Sequence, residues 1–111
     1  MLHLTEKTPI ILALQAVDFR KRIDGLAALC EQYLDEVPRS GQLFVFINRA
    51  KTMIRVLCYE ENGYWLATKR LSRGRYKLWP KSAAEALKLP MKASEFKKII
   101  RPMVDGAEHC V

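Results

Sequence analysis

The sequence contains few of the residues on which enzymes most often depend. Its two histidines, His3 and His109, lie near the two ends of the chain, so neither is expected beside a serine or cysteine nucleophile, as covalent catalysis requires. The chain also lacks a G-x-S-x-G motif, a glycine-rich phosphate loop and a Cys-x-x-Cys pair. These absences argue against the common hydrolase, nucleotidase and redox chemistries.

Carboxylates that could hold metal ions for strand transfer are also few. The available ones are Asp18, Asp24, Asp35, Glu60 and Glu61. Three of them have simpler interpretations, Asp18 as a helix cap and Glu60 and Glu61 as turn residues. Because no acid–base constellation remains, we predict a protein that is not an enzyme and has no catalytic residues, no metal site and no cofactor.

Cysteine and long hydrophobic runs are scarce as well. Cys30, Cys58 and Cys110 are odd in number and widely spaced, which argues against a disulfide framework, and we expect Cys30 and Cys58 to be buried, reduced thiols. The longest apolar stretches, residues 10–14 and 43–47, are far shorter than the roughly 20 residues that cross a bilayer. The first residues lack the pattern of a secretory signal, so we expect a cytoplasmic protein without membrane contact.

Positive charge is what the sequence has in excess. Its 111 residues include 19 Lys and Arg against 12 Asp and Glu, a formal net charge of +7. The basic residues concentrate between Arg49 and Lys81, with a second group at residues 20–22. This distribution favours an anionic partner such as nucleic acid.

Hydrophobic patterning and turn residues predict an α+β fold in a single domain, residues 1–111. Strands are predicted at residues 10–17, 43–48, 53–59, 64–71 and 75–79, with Asn62-Gly63 as a two-residue hairpin turn. A long helix is predicted at residues 18–34, capped by Asp18, because apolar residues recur there at spacings of three and four. Gly25 inside this helix is interpreted as a point of close packing against the sheet.

The C-terminal part is predicted to be helical. Ser82 and Glu85 have capping-box spacing, which predicts a short helix to about residue 89, and Ser94 opens a second helix to about residue 101. Together the elements predict a small antiparallel β-meander of four to five strands, with one long helix and short C-terminal helices packed on one face. The sheet and long helix would occupy residues 9–80, the short helices 82–102 and a flexible tail 105–111.

The predicted hairpin brings arginine and aromatic residues together. With Asn62-Gly63 as the turn, Arg55 pairs with Arg70 across the ladder, and Tyr59 and Tyr64 lie on the same face. Like charges opposite each other are unfavourable unless an anion lies between them, and arginine interleaved with aromatic rings is typical of nucleic-acid surfaces. A solvated sheet face is the alternative, and a one-residue shift in register would change the face assignment.

The run Arg20-Lys21-Arg22 falls in the first turn of the predicted helix, where the helix dipole disfavours cations. Free backbone N–H groups and basic side chains would form an anion site there. The alternative is three solvated side chains, with one or more paired to Asp18 or Asp24.

The charge distribution thus defines a set of candidate nucleic-acid contacts that would neutralise phosphates. They are Arg20, Lys21, Arg22, Arg49, Arg55, Lys69, Arg70, Arg73, Arg75 and Lys77. Tyr59, Tyr64 and Trp79 are candidate stacking or packing groups. No helix carries evident base-reading chemistry, so we expect little sequence specificity.

A protein–protein adaptor or oligomerisation module without nucleic-acid contact is the alternative function. It would dock on a protein partner or on a second copy of itself through a sheet face, or through Phe96, Ile99 and Ile100 of the last helix.

Four segments carry a family resemblance: DFRKRIDGLAAL at residues 18–29, LFVFINR at 43–49, NGYWLATKRL at 62–71 and GRYKLWP at 74–80. In this order they resemble the TnpB accessory protein of bacterial insertion sequences of the sixty-six family, which is distinct from the RNA-guided nucleases of the same name. Departures are Ser72, where the family often has an acidic residue, and Glu60, where it often has Asp.

The resemblance implies a role in DNA transposition, with DNA and the transposase of the same element as partners. In such elements a separate, larger transposase carries the catalytic carboxylates. The resemblance therefore implies a bacterial accessory protein of DNA recombination rather than a second enzyme. A host protein that inherited the fold is the remaining alternative.

Overall fold

The computed structural model describes residues 5–81 and 86–101. The described residues form five strands and two helices. The strands are β1 (Ile10–Ala13), β2 (Leu43–Ile47), β3 (Met53–Glu60), β4 (Gly63–Arg70) and β5 (Lys88–Met91), and the helices are α1 (Ile23–Gln32) and α2 (Ala93–Ile99). The α+β class is confirmed, while the arrangement of the sheet differs from the prediction.

All five strands belong to one mixed sheet with the order β4-β3-β2-β1-β5. β1 and β2 are parallel, with Ile10 beside Leu43, and the other pairs are antiparallel. The predicted purely antiparallel meander is therefore wrong. The connection through α1 is the reason, because it returns the chain across the sheet so that β2 starts at the same end as β1.

Both faces of the sheet are covered. On one face Leu26 of α1 is buried in the same cluster as Phe44 of β2. On the other face, the loop residue Tyr76 and Phe96 of α2 are buried in the same cluster as Val45 of β2. β1 and β2 are consequently buried at every position, which explains why IILA and LFVFI are continuously apolar instead of alternating. The prediction of cover on one face only is wrong.

α1 is shorter than predicted and begins at Ile23 instead of Asp18. Arg22 occupies the N-cap position without a side-chain hydrogen bond. The Asp18 carboxylate instead accepts the backbone N–H of Arg20 at 2.9 Å. Because this local turn competes with helix formation, the predicted Asp18 cap is wrong. The predicted apolar face of this segment is confirmed, since all of its members lie in the cluster on this side of the sheet: Phe19, Ile23, Leu26, Ala27, Cys30, Tyr33 and Leu34.

The turn of the β3–β4 hairpin also differs from the prediction. Glu60 pairs with Gly63, so Glu61 and Asn62 form the two-residue turn. Glu61 adopts a φ of 59°, the left-handed conformation that such turns require.

The resulting register separates two arginines that were predicted to pair. Arg55 lies opposite Thr68, and Arg70 lies opposite Met53. The predicted Arg55–Arg70 pair is therefore wrong. Because the register is shifted by two residues and not by one, every side chain of the hairpin keeps its predicted face.

Residues 75–79 form a turn, and their prediction as a strand is wrong. The N–H of Tyr76 donates to the Lys51 carbonyl at 2.8 Å, and the N–H of Trp79 lies 3.4 Å from the Tyr76 carbonyl. Tyr76 and Trp79 are both buried. Two large apolar residues three positions apart fit a turn that covers the sheet better than a strand, in which they would point to opposite faces.

The predicted helix that extends to residue 89 is wrong at its C-terminal end. Its last residues belong to β5, which pairs with β1. Pro90 is tolerated because β5 is an edge strand. α2 begins at Ala93, and Glu95 accepts the N–H of Lys92 at 2.9 Å. The predicted capping box at residues 82–85 and the predicted tail at 105–111 lie outside the described residues.

Cys30 and Cys58 are free and buried, as predicted, while Cys110 lies outside the described residues. Burial raises the pKa of the Cys30 thiol to about 12. Neither helix of residues 5–81 and 86–101 is long and apolar enough to cross a membrane.

Candidate nucleic-acid interface

Three segments that are distant in sequence meet at one end of the sheet. This end contains the carboxyl ends of β1 and β2, the start of β3 and the last residue of β4, because Ile47 pairs with Ile54 and Met53 with Arg70. The β2–β3 loop lies at its centre. Residues 18–22 flank the loop on one side and residues 69–77 on the other. We call this region, residues 18–22, 49–52 and 69–77, the basic end.

The basic end has a strong excess of positive charge. Its single carboxylate is Asp18. Its cations are Arg20, Lys21, Arg22, Arg49, Lys51, Lys69, Arg70, Arg73, Arg75 and Lys77, each of them exposed. Nine of the ten predicted contacts are thus brought together, and Lys51 joins them.

The β2–β3 loop has a defined conformation that depends on Asn48. Its Oδ1 accepts the N–H groups of Thr52 at 2.9 Å and Met53 at 3.0 Å, and its Nδ2 donates to the Thr52 hydroxyl at 3.1 Å. Lys51 adopts a φ of 61°. The loop therefore presents Arg49 and Lys51 from a fixed backbone. Sequence analysis missed this role, although an Asn directly after a strand is a common turn signal.

The loop also anchors the segment that follows β4. The N–H of Leu71 donates to the Thr52 carbonyl at 2.9 Å, and the N–H of Tyr76 donates to the Lys51 carbonyl at 2.8 Å. These bonds hold Arg73 and Arg75 beside the loop, on the side of the sheet that α2 covers.

Arg55 is a predicted contact whose guanidinium binds backbone carbonyls of another segment of the protein. Its NH1 donates to the carbonyls of Phe19 at 2.7 Å and Lys21 at 2.9 Å, and its Nε donates to the Thr68 hydroxyl at 3.1 Å. Arg55 thereby joins residues 18–22 to β3 and β4. Its structural role is to position the basic end.

Asp18 partly neutralises this positive charge. Its carboxylate lies 2.6 Å from the Arg20 guanidinium. The side-chain and backbone hydrogen bonds from Arg20, assisted by the charges of Arg20 and Arg49, lower the pKa of Asp18 to about 2. Asp18 is therefore ionised throughout the neutral range, and Arg20 contributes less free charge than its exposure suggests.

The aromatic residues predicted to stack on bases lie elsewhere. Tyr59 and Tyr64 form an edge-to-face pair 5.0 Å apart beside the hairpin turn, at the opposite end of β3 and β4. The Arg39 guanidinium lies over the Tyr59 ring at 5.1 Å. Trp79 is buried. The large exposed aromatic is Trp65, on the free edge strand β4.

The docking surface predicted on the last helix is also used internally. Phe96 is buried, and Ile99 and Ile100 pack against the same core cluster. These three residues therefore stabilise the fold. At one edge of the sheet, β4 carries the exposed Trp65.

A cleft of about 250 Å³ adjoins the basic end, at the carboxyl ends of the parallel strands. Ala13, Leu29 and Phe46 contribute apolar walls, and Lys21 and Arg49 contribute positive charge. A Cβ on Gly25 would lie 3.2 Å from the Lys21 Cβ, so Gly25 gives room to the Lys21 side chain. The predicted contact of Gly25 with the sheet is wrong.

Metal chemistry has no evident site in this region. Within residues 5–81 and 86–101, no group of three or more His, Cys, Asp or Glu side chains could hold a metal ion. The basic end offers hydrogen-bond donors and positive charge, the chemistry of anion binding.

The fold and its basic end define a small α+β protein with a cluster of exposed cations at one end of its sheet. The chain matches the family described as IS66 Orf2 like protein over residues 8–105, and it belongs to that family. The family is one of transposition-associated accessory proteins, in agreement with the resemblance of the four sequence segments.

Two similar proteins come from Sinorhizobium fredii. Uncharacterized protein y4hO is 32% identical over 87 residues, which cover 78% of this chain and 75% of y4hO. Uncharacterized protein y4jC is 36% identical over 67 residues, which cover 60% of this chain and 57% of y4jC. No solved structure matches the chain.

Proposed function

We propose that this protein is a non-catalytic accessory factor of DNA transposition that binds DNA, alone or in complex with the transposase, through its basic end. The observation that carries the proposal is the convergence of residues 18–22, 49–52 and 69–77 around the β2–β3 loop. Ten exposed cations against one carboxylate fit the phosphate backbone of DNA, which carries one charge per roughly 1.7 Å of duplex.

The binding mode follows from the same residues. Lys and Arg side chains on loops contact phosphates, which fixes orientation but carries no sequence information. The exposed side of α1 includes the carboxylates of Asp24 and Glu31, which the phosphates on both sides of the major groove would repel. The protein would therefore bind many DNA sequences with similar affinity, and the transposase would supply the choice of site.

The experiment compares two triple variants with equal loss of charge. R70A/R73A/R75A removes three cations from the basic end. K7A/R39A/K92A is the control and removes three exposed cations from the opposite end of the sheet. Lys7 precedes β1, Arg39 precedes β2 and Lys92 follows β5, and these strand ends lie together. Fluorescence anisotropy with element-end and random duplex DNA, over a range of salt concentrations, reports affinity and its salt dependence.

We expect R70A/R73A/R75A to weaken binding to both DNAs. It should also reduce the slope of log affinity against log salt by about 0.9 for each phosphate that the variant no longer neutralises. The control variant should bind as the wild type does. Equal weakening by both variants would indicate a nonspecific effect of net charge. No binding by the wild type at low salt would refute direct DNA contact.

A protein–protein adaptor is the second candidate, and the edge of the sheet is the observation that favours it. β4 has β3 as its neighbour and lies at the edge of the sheet, and its Trp65 side chain is 50% exposed. Edge strands and exposed aromatic rings are frequent protein contacts. An adaptor would associate with the transposase in a salt-insensitive manner, and Trp65→Ser would weaken that association without changing DNA affinity.

A further inference from the structure

The cleft beside the basic end is small, with apolar walls and a positively charged rim. Its volume of about 250 Å³ is below the roughly 300–1,000 Å³ of pockets that hold larger ligands. It lies where the parallel strands β1 and β2 end and the connection to α1 begins. In open sheets with parallel strands, ligands bind preferentially outside the carboxyl ends of those strands.

The walls of the cleft suit a flat heterocycle. Ala13, Leu29 and Phe46 are apolar, and Tyr33 adds an aromatic ring. The Tyr33 hydroxyl donates to the Oε1 of Gln15. Among the described residues the Gln15 amide nitrogen has no partner, so it can donate to the polar edge of a base.

The rim of the cleft suits a phosphate. Lys21 and Arg49 both line it. Asp18 also lines the cleft, but its carboxylate lies 2.6 Å from the Arg20 guanidinium. The charged side chains at or next to the rim therefore have a net positive charge; they are Asp18, Arg20, Lys21 and Arg49. Lys21 and Arg49 are also members of the basic end, which makes the cleft continuous with the surface proposed to bind the DNA backbone.

We propose that this cleft binds an unpaired nucleotide of a DNA strand, with the base between Leu29, Phe46 and Tyr33 and its phosphate at Lys21 and Arg49. The inference rests on the proposed DNA-binding function and adds a preference for unpaired over paired DNA. Bases within a duplex are stacked and cannot enter such a cleft, whereas a single-stranded end presents them at low cost.

The test uses three DNAs with the same duplex: blunt, with a single-stranded overhang, and with an overhang of abasic sites. The abasic overhang keeps the phosphates and lacks the bases. Since stacking of one base on a protein contributes about 1–3 kcal/mol, we expect the normal overhang to bind at least about fivefold more tightly than the abasic one.

A matched pair of variants locates the preference. Leu29→Trp fills the cleft without changing charge, and Leu78→Trp makes the same change at a leucine that is 46% exposed and does not line the cleft. We expect L29W to bind both overhangs equally, with unchanged affinity for the abasic one, and L78W to keep the preference. Thermal melting checks that both variants are folded.

An NMR titration of the wild type makes the test independent of the variants. With an overhang oligonucleotide, amide signals of Ala13, Gln15, Leu29 and Tyr33 should shift. Deoxyadenosine monophosphate is the second probe. If it shifts the same amide signals as strongly as the overhang oligonucleotide does, the cleft is a nucleotide site, but one for free nucleotides and not for a DNA strand.

The remaining outcomes separate the two proposals. Salt-dependent binding of all three DNAs with equal affinity would overturn the cleft assignment and leave the proposed function standing. Retention of the preference by folded L29W would also overturn it. Failure to bind any of the DNAs would overturn both.

Discussion

The guanidinium of Arg55 lies over the ring of Phe19, with 4.7 Å between its central carbon and the ring centroid. The same group donates to the backbone carbonyls of Phe19 and Lys21. One side chain of β3 thus fixes the backbone that precedes α1. The basic end depends on this contact, because it holds residues 18–22 beside the β2–β3 loop.

We expect Arg55→Ala to lower the free energy of unfolding by about 2–3 kcal/mol, since charge-assisted hydrogen bonds contribute roughly 1.5–3 kcal/mol each and compensate one another in part. Arg55→Lys should lower the free energy of unfolding by less, because lysine keeps the positive charge. It should still cost some stability, because one ammonium group cannot make all three hydrogen bonds of the guanidinium. Urea denaturation measures both. Arg70→Ala, at an exposed position on the same face, is the control and should change stability by less than about 0.5 kcal/mol. Equal effects of R55A and R70A would contradict the structural role.

An ion pair joins the segment that follows α1 to β5. The Lys88 ammonium lies 2.6 Å from the Glu36 carboxylate and donates to the Leu34 carbonyl at 2.7 Å. Gln42 donates to the other carboxylate oxygen at 3.2 Å. The hydrogen bond from Lys88, more than the one from Gln42, lowers the pKa of Glu36 against the opposing effect of burial.

This lowered pKa predicts a dependence of stability on pH. A carboxyl group with a lower pKa in the folded state contributes stability above its unfolded pKa, about 4.3, and loses it as the pH falls through the folded value. Glu36→Gln should therefore cost about 1–2 kcal/mol at pH 7, and the difference from the wild type should shrink below about pH 4. Urea denaturation between pH 7 and pH 3 checks this, with exposed Glu31→Gln as the control. A difference that stays constant with pH would exclude the ionised pair as its cause.

The strands with strong local signals were predictable from sequence. β2, β3 and β4 lie within one residue of their predicted bounds, because β-branched and aromatic residues dominate them. The buried face of α1 was also predictable from spacing. β5 was not, because KLPM has weak strand propensity and forms a strand through its pairing with β1, a contact remote in sequence.

The candidate site was predictable in its residues but not in its geometry. The excess of Lys and Arg identifies the cations, yet their convergence depends on the parallel pairing of β1 and β2, which the predicted meander lacked. The role of Arg55 could not be read from the sequence, since the backbone carbonyls that it binds belong to a segment predicted as helix. The cleft was missed for the same reason.

Tyr76 is a buried residue whose hydroxyl has no hydrogen-bond partner among the described residues. An unpaired buried hydroxyl lowers the free energy of unfolding by roughly 1–3 kcal/mol. The Tyr76 ring, by contrast, stabilises the fold because it packs in the same core cluster as Trp79. We expect Tyr76→Phe to leave stability unchanged or to raise it by up to about 1 kcal/mol. Tyr76→Ala should cost about 3–5 kcal/mol, as for other large aromatic truncations. Thermal or urea denaturation separates the two, and a loss above about 1 kcal/mol in Y76F would indicate a hydrogen bond to the hydroxyl.

Lys51 combines positive charge at the basic end with a left-handed backbone, φ 61°. That conformation costs a residue with a Cβ about 1–2 kcal/mol and costs glycine little. Lys51→Gly should therefore raise the free energy of unfolding by about 0.5–1 kcal/mol, after the entropy cost of glycine, and at the same time weaken DNA binding by removing a cation. The carbonyl that accepts the Tyr76 N–H is retained in the variant.

Lys51→Ala is the matched control, because it removes the same charge but keeps the Cβ. We expect K51A and K51G to reduce DNA affinity and its salt dependence equally, and K51G alone to gain stability. Anisotropy titration and urea denaturation of the same samples give the two quantities. Unchanged DNA affinity in both variants would show that the centre of the loop is not part of the interface. A loss of stability in K51G would show that the Lys51 side chain stabilises the loop by more than its left-handed backbone conformation destabilises it.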